Sequence, residues 1–305
     1  GPSAPLHDFH AQLERGRPFA VVGKPCDITA VRNVMRRDER AASLVRHCLA
    51  LVCGGMSDLT KSRGVLADAG MKESELRLFR YRGHGNPGPL RAEAIDGRAH
   101  EVSYNAMWGD EVGWALQPRC RICPDAIGEV ADIVGADCWP RGGPSGEDEG
   151  FNAVIVRTAR GRDLFDAAVA RGDIVVDRYS SFREMDEFQP HQVAKKNAVR
   201  ARYTGMRAAG MATPATPRLR IEALARQQPF SFLLREARGA RRRARSGRLG
   251  EPPASLDRQW RSTWPTPVVP ERPCVRAPGC APAGSAGDAA SSRGPALRAR
   301  VICHG

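Results

Sequence analysis

Long apolar runs are missing from this sequence. The longest, such as Cys48 to Cys53, extend about six residues against the roughly 20 a membrane span needs. No basic cluster followed by an apolar segment opens the chain, so neither a membrane span nor a signal peptide is expected, and the default is a soluble, cytoplasmic protein. No GxSxG, HExxH or Walker-type phosphate loop occurs, which leaves hydrolase and NTPase readings without support. There is no internal repeat. Acidic residues are scarce in one place only: residues 191–305 hold 6 Asp and Glu against 22 Lys and Arg, whereas residues 1–190 hold 28 against 25. The net charge of +13 therefore divides into −3 for the body and +16 for the C-terminal third. A body without a positive field of its own makes nucleic acid an unexpected partner. Nine cysteines, an odd number in a chain with no secretory signal, argue against a disulfide framework.

What is present is a globular composition, 42% hydrophobic, with short apolar runs alternating with helix-like segments from Phe19 to about Ile174. Phe19 to Val22 reads as a buried strand ending at Gly23-Lys24-Pro25-Cys26, and Asp27 can cap a helix through about Arg37. Leu49 to Val52 repeats the pattern before Gly54-Gly55 and a helix to about Gly70. Glu75 to Tyr81 reads as a strand, and Leu90 to Ile95 with His100 to Tyr104 as a hairpin across Asp96-Gly97. Strands at Ile133 to Ala136, Ala153 to Arg157 and Ile174 to Val176, with a helix over Gly161 to Arg171, complete an α/β domain (α+β being the other option). Its sheet should be mixed and partly parallel, with flanking helices.

The composition changes after about Gly205. One long polar helix is expected over Gln189 to Ala209, then one or two Arg/Ala-rich helices over Arg218 to Arg248. From Gly250 on, Pro, Ala, Gly, Ser and Arg dominate without an apolar period, the signature of disorder. The expected organisation is a domain over 1–205, a helical extension over 206–249 and a disordered tail over 250–305. The Arg238 to Arg248 run could serve RNA, an anionic membrane or an acidic partner, with a solvated extension as the blander reading.

Cys26 and Cys53 each sit just past the carboxyl end of an expected strand, and Cys120 and Cys123 form a C-x-x-C pair. Loops at the carboxyl ends of strands converge in open α/β sheets, so four thiolates can meet at one point. Such a set suits tetrahedral zinc or an iron–sulfur cluster. Only one pair is tightly spaced, and Pro124 follows Cys123 as in ferredoxin-type runs, which favours the cluster. The other reading makes Cys26 and Cys53 small buried hydrophobes. Cys48 and Cys138 lie in strand-like runs and read as core.

Four segments in order carry a resemblance: Gly23-Lys24-Pro25-Cys26-Asp27-Ile28, Val52-Cys53-Gly54-Gly55, Cys120-Arg121-Ile122-Cys123, and Ala131-Asp132-Ile133 through Gly135-Ala136-Asp137-Cys138-Trp139. Together, over roughly residues 15 to 210, they resemble the C-terminal domain of the coenzyme F420 hydrogenase/dehydrogenase beta-subunit family. The resemblance implies an iron–sulfur flavoprotein oxidoreductase. It would carry a 4Fe–4S cluster on Cys26, Cys53, Cys120 and Cys123 together with FAD, and would exchange electrons with a deazaflavin, a ferredoxin or a hydrogenase/dehydrogenase subunit. Asp27 stands where Gln is usual in the family, Cys138 where Phe is usual and Pro140 where Gly is usual. Fuller members begin with a ferredoxin-like cysteine-rich segment and a Ser-Gly-Gly flavin-contacting segment, so this sequence is expected to be an N-terminally truncated member. The alternative is a non-catalytic relative with a structural metal site, acting as a binding module.

For FAD, the Gly23-Lys24-Pro25 turn before a helix offers backbone amides and a cation to a pyrophosphate. Arg80 and Arg82 alternate along a strand and should share a face, ready to grip a phosphate or carboxylate. Lys61 matches a commonly basic family position on the helix after Cys53. Ordinary turns and solvated side chains are the competing readings for all six residues.

Overall fold

The computed structural model describes residues 6–84, 87–109, 114–139, 142–143, 151–250 and 297–303. Helix α1 (Phe9–Glu14) buries Phe9 and Leu13 before the apolar strand β1 (Phe19–Gly23). Proline, which lacks an amide proton and has a fixed φ, suits a helix's first turn, and α2 (Pro25–Met35) begins there. Asp27, expected as the cap, is instead the third helical residue, and its carboxylate accepts the Lys24 amide at 3.0 Å. Helix α3 (Glu39–Leu44) follows Asp38, whose carboxylate accepts the Ala41 amide at 3.1 Å. Strand β2 (Val45–Leu51) then leads through Cys53 to α4 (Thr60–Asp68).

A 3-10 turn at Glu73–Glu75 opens β3 (Leu76–Arg80), and β4 (Leu90–Ala94) and β5 (Ala99–Val102) form the hairpin expected across Asp96-Gly97, where Gly97 has φ +94°. The short helices α5 (Tyr104–Trp108) and α6 (Pro118–Arg121) precede β6 (Ile133–Asp137), β7 (Asn152–Val156), α7 (Ala159–Ala170) and β8 (Ile174–Tyr179). Helices α8 (Phe182–Phe188), α9 (Pro190–Arg207), α10 (Ile221–Arg226) and α11 (Phe230–Arg245) follow, then β9 (Leu297–Cys303).

Two sheets result. The larger has the order β1-β2-β6-β7-β9-β8, and β3-β4-β5 form an antiparallel sheet of three. In the larger sheet β6 and β7 pair antiparallel, and all other neighbours are parallel. This is the mixed, partly parallel sheet with flanking helices that the sequence implies. The main core joins Val21, Ile28, Val31, Val45, Cys48 and Val134 between sheet and helices, with Cys48 and Cys138 both buried as expected. Of the tail expected to be disordered, residues 297–303 form β9, with Ala299 and Val301 fully buried between β7 and β8. Alternation of Leu297, Ala299 and Val301 with Arg298 and Arg300 is a period-two signal hidden in an Arg-rich composition. Residues 251–296 lie outside the described residues. The described residues all belong to one compact unit.

Asp132 ties the sheet together. It is 2% exposed, and its carboxylate accepts from Arg32 Nη2 at 2.7 Å, the Cys48 amide at 2.8 Å and Thr158 Oγ1 at 2.7 Å. Its carbonyl lies so close to α7 that a Cβ on Gly161 would stand 2.3 Å from it. Burial alone would raise the Asp132 carboxyl, but the Cys48 amide, Thr158 and Arg32 hold it below the usual carboxylate value.

Candidate functional site

Parallel pairing of β1 and β2, with Gly23 beside Ala50, puts the loops that follow them at one end of the sheet. Cys26 is the second residue of α2 and exposed; Cys53 lies two residues past β2 and is half-buried. Cys120 sits in α6 and Cys123 just beyond it, both half-buried. Backbone bonds lace these segments together: Val52 N to Gly135 O at 2.9 Å, Cys53 N to Ala126 O at 2.9 Å, and Gln117 N to Met56 O at 2.8 Å. In the loop after Cys123, the buried Asp125 carboxylate accepts the amides of Ile127 and Glu129, each at 3.0 Å.

Electrostatic influence links the four thiols through Cys26. Ionised Cys53 and Cys120 both act on Cys26, Cys120 acts on Cys53, and Cys26 acts on Cys123. Burial pushes Cys53 up and Cys123 up to about 11, and at Cys26, exposed at the surface, partial loss of solvent with the Asp27 carboxylate beside it also pushes the thiol up. The Met56 amide donates to Cys120 Sγ at 3.2 Å, and the Gly55 amide favours ionised Cys53. Cys123 Sγ donates to the Asp125 carbonyl at 3.0 Å. Among the described residues, no three His, Cys, Asp or Glu side chains lie close enough together to hold a single metal ion.

Helix α9 supplies what the sequence reading missed. Gln192, Lys195, Val199, Tyr203 and Met206 recur at helical spacing on one buried face. Lys195 is 9% exposed; its ammonium donates to Gly54 O at 2.7 Å and favours the ionised forms of Cys53 and Cys123. Lys196 donates to Pro124 O at 2.8 Å and pairs with Glu129. Arg202 Nη1 donates to Arg121 O at 2.8 Å, and Tyr203, its hydroxyl pushed up to about 12 mainly by burial, donates to Ile122 O at 3.2 Å. Four side chains of α9 thus hold carbonyls on both cysteine loops. The sequence signal was a Lys in phase with Val199, Tyr203 and Met206.

The six residues expected to hold a cofactor divide. Lys24 Nζ pairs with Asp27 at 2.7 Å in the turn between Gly23 and Pro25. Arg82 lies beyond the end of β3 and turns to Asp137, its Nη1 donating at 3.0 Å, with its guanidinium 6.0 Å from the Trp139 ring. Arg80 therefore does not join Arg82 in one grip: the chain leaves the extended strand after Arg80, and Asp137 takes up the Arg82 fork. The Arg80 Nε is buried without a hydrogen-bond partner. Lys61 lies over the Trp114 ring at 5.2 Å. Trp114 stacks on Trp108 at 4.7 Å, and contacts continue to Tyr81 at 6.0 Å and Tyr104 at 6.2 Å, a continuous aromatic run the sequence reading did not single out.

These features define an α/β domain in which electrostatic influence links Cys26, Cys53, Cys120 and Cys123, and the buried Lys195 acts on Cys53 and Cys123. Residues 16–181 match the family described as the C terminus of the coenzyme F420 hydrogenase/dehydrogenase beta subunit, and the chain belongs to that family. The uncharacterized protein MJ1349 of Methanocaldococcus jannaschii is 26% identical over 165 residues, covering 53% of this chain and 41% of that protein. The chain therefore spans under half the length of this curated relative. A chain of the F420-reducing NiFe hydrogenase complex from Methanosarcina barkeri, solved with xenon derivatization, is similar at 21% identity and a TM-score of 0.37, covering 53% of this chain and 52% of that one. Lys195, Lys196, Arg202 and Tyr203 all lie beyond the family match, which ends at residue 181. No helix among the described residues is long and apolar enough to cross a membrane.

Proposed function

We propose that this chain is part of an iron–sulfur flavoprotein oxidoreductase in which Cys26, Cys53, Cys120 and Cys123 hold a 4Fe–4S cluster. What supports this reading is the electrostatic linkage of four thiols, from three separate segments, with the buried ammonium of Lys195 acting on two of them. Four sulfurs are a soft donor set suited to zinc or to iron–sulfur chemistry. A single tight pair, with Pro124 directly after Cys123, favours the cluster over zinc. Thiols raised by burial ionise when a cation stands among them, so metal binding would release their protons.

When bound, the cluster supplies one-electron transfer and FAD the passage to two-electron hydride chemistry. The chain's own residues set the conditions. Lys195 offsets the negative charge of the thiolates, and the Met56 amide stabilises charge on Cys120 Sγ. Tyr203, Lys196 and Arg202 fix α6 and the loop after it, which carry Cys120 and Cys123, by holding their carbonyls. For the flavin, Lys61 over the Trp114 ring and the aromatic run that continues from it offer positive charge beside a planar apolar surface, and Arg80 would supply a further donor. The Gly23-Lys24-Pro25 turn and Arg82 would orient the ligand rather than neutralise it, because Asp27 and Asp137 already meet their charges. The electron partner would be a ferredoxin, a hydrogenase/dehydrogenase subunit or a deazaflavin.

Anaerobic reconstitution with iron and sulfide tests the reading. A broad absorbance near about 400 nm, lost in Cys120→Ser and Cys123→Ser, is the iron–sulfur result. Colourless protein binding one zinc per chain under the same conditions overturns it.

A further inference from the structure

Around Arg121 of α6 and the end of α11 lies a second concentration of charge with a different chemistry. Arg121, between Cys120 and Cys123 in sequence, borders a cavity of about 380 Å³ together with Arg242, Arg243, Ser246 and Arg248. Four guanidiniums and a hydroxyl line it, with no carboxylate among the lining residues. None of the four guanidiniums forms an ion pair with a described residue. Glu236, the acidic residue that acts on Arg243, is already held by Arg202 Nε at 2.9 Å. Arg243 is the sharpest element. It is half-buried, its Nε is buried without a hydrogen-bond partner, and Arg202, Arg121 and Arg242 all oppose its charge.

A buried donor left unmet is unfavourable, and so is the gathering of like charges around it. Protein interiors keep such arrangements where a ligand supplies the missing acceptor and the opposite sign. Guanidinium forks bind planar or tetrahedral oxyanions through paired hydrogen bonds. The geometry points to a phosphate-binding site here: Arg121, Arg242, Arg243 and Arg248 receive a phosphate group, free or as the pyrophosphate of a small molecule.

Concavity distinguishes this from a docking stripe for a polynucleotide, which would spread its cations along an extended face. A wider groove of about 640 Å³ runs beside the cavity, shares Arg242 and Arg243 and adds Arg235 and Arg238, but Glu236 in its wall offsets one of these charges, whereas no carboxylate lines the smaller cavity. The smaller cavity therefore holds the anion, and the groove leaves room for the rest of a phosphoester. The site stands whether or not the four cysteines hold iron, because it uses none of their sulfurs.

Titration calorimetry at low ionic strength on the full chain tests this, with inorganic phosphate and pyrophosphate as separate probes. One site per chain is expected for pyrophosphate. Arg243→Gln should weaken it about tenfold, the loss of one charge-assisted paired contact. Arg242→Gln and Arg248→Gln, both exposed, should each weaken it about fivefold, and they decide the matter should Arg243→Gln fail to fold. Arg183→Gln on α8 removes the same charge elsewhere and should leave binding unchanged. Binding of phosphate as well as pyrophosphate assigns the site to the free anion; binding of pyrophosphate alone assigns it to a larger ligand, and either supports the proposal. Equal weakening by Arg183→Gln overturns it, as does the absence of binding to the folded chain. So does an oligonucleotide that binds in an Arg242-dependent manner when neither small anion does.

Discussion

Two buried charges in this molecule are treated in opposite ways. The Asp132 carboxylate is met by a guanidinium, a hydroxyl and an amide, drawn from α2, the start of α7 and β2. The Lys195 ammonium, nearly as buried, has a carbonyl at 2.7 Å and otherwise faces thiols that burial keeps neutral. A charge fully met by fixed partners belongs to the architecture. A charge left with neutral neighbours that can become anions belongs to a site that changes state. The comparison is open to experiment at both ends.

The largest effect is expected at Asp132. Removing one member of a buried pair leaves the other uncompensated, so Asp132→Ala should destabilise the fold by about 3 kcal/mol, read by urea unfolding. A loss under about 1 kcal/mol would put Asp132 among ordinary surface pairs and break the comparison. The pH dependence follows from the depressed carboxyl. Its contribution is complete above the unfolded value of about 3.9 and is lost as pH falls through the lower folded value. The wild type should therefore lose stability steeply below about pH 4, and Asp132→Ala should show a flatter acid limb.

Gly205 comes next. Helices α9 and α11 approach so closely that a Cβ at this position would stand 2.0 Å from the Ala237 carbonyl. Overpacking of that kind costs about 2 kcal/mol, so Gly205→Ala should unfold at lower urea concentration. It should also loosen the Arg202–Glu236 pair and with it the hold on Arg121. Normal stability would mean the two helices slide apart freely. Smaller again is Tyr203→Phe, which removes one hydrogen bond to the Ile122 carbonyl and should cost about 1 kcal/mol. Its more specific expected result is faster alkylation of Cys123 as the loop after α6 loosens.

The two regions also differ in how far sequence reveals them. Strands β1 and β2 are legible because short apolar runs stop at Gly23-Lys24-Pro25 and at Cys53-Gly54, and those stops carry Cys26 and Cys53. The β4–β5 hairpin is legible because Gly97 supplies the positive φ its turn requires. Pairing across the chain is not. The extent of α9 follows from its pattern, yet nothing local says that its Lys195 face meets Gly54, 141 residues earlier. Strand β9 escapes because composition outweighs period in an Arg- and Pro-rich tail, and because its partners lie more than a hundred residues away. Arg82 shows the opposite failure. Strand alternation was the right rule for Arg80, but the turn after it and a distant Asp137 decide where the second guanidinium goes.

Lys195→Met should have the smallest effect on stability and the most informative one on chemistry. Replacing a desolvated ammonium by an isosteric apolar chain removes one hydrogen bond and also removes a burial penalty, so the apo fold should change by less than about 1 kcal/mol. In the reconstituted protein the same change takes a positive charge from beside Cys53 and Cys123. It should make the cluster harder to reduce, moving its midpoint potential to more negative values. A purely structural lysine would give the reverse pattern, a lower urea midpoint with an unmoved potential. The pair of measurements therefore separates a lysine that holds the loop from one that sets the charge the thiols feel, and only the second agrees with the contrast to Asp132.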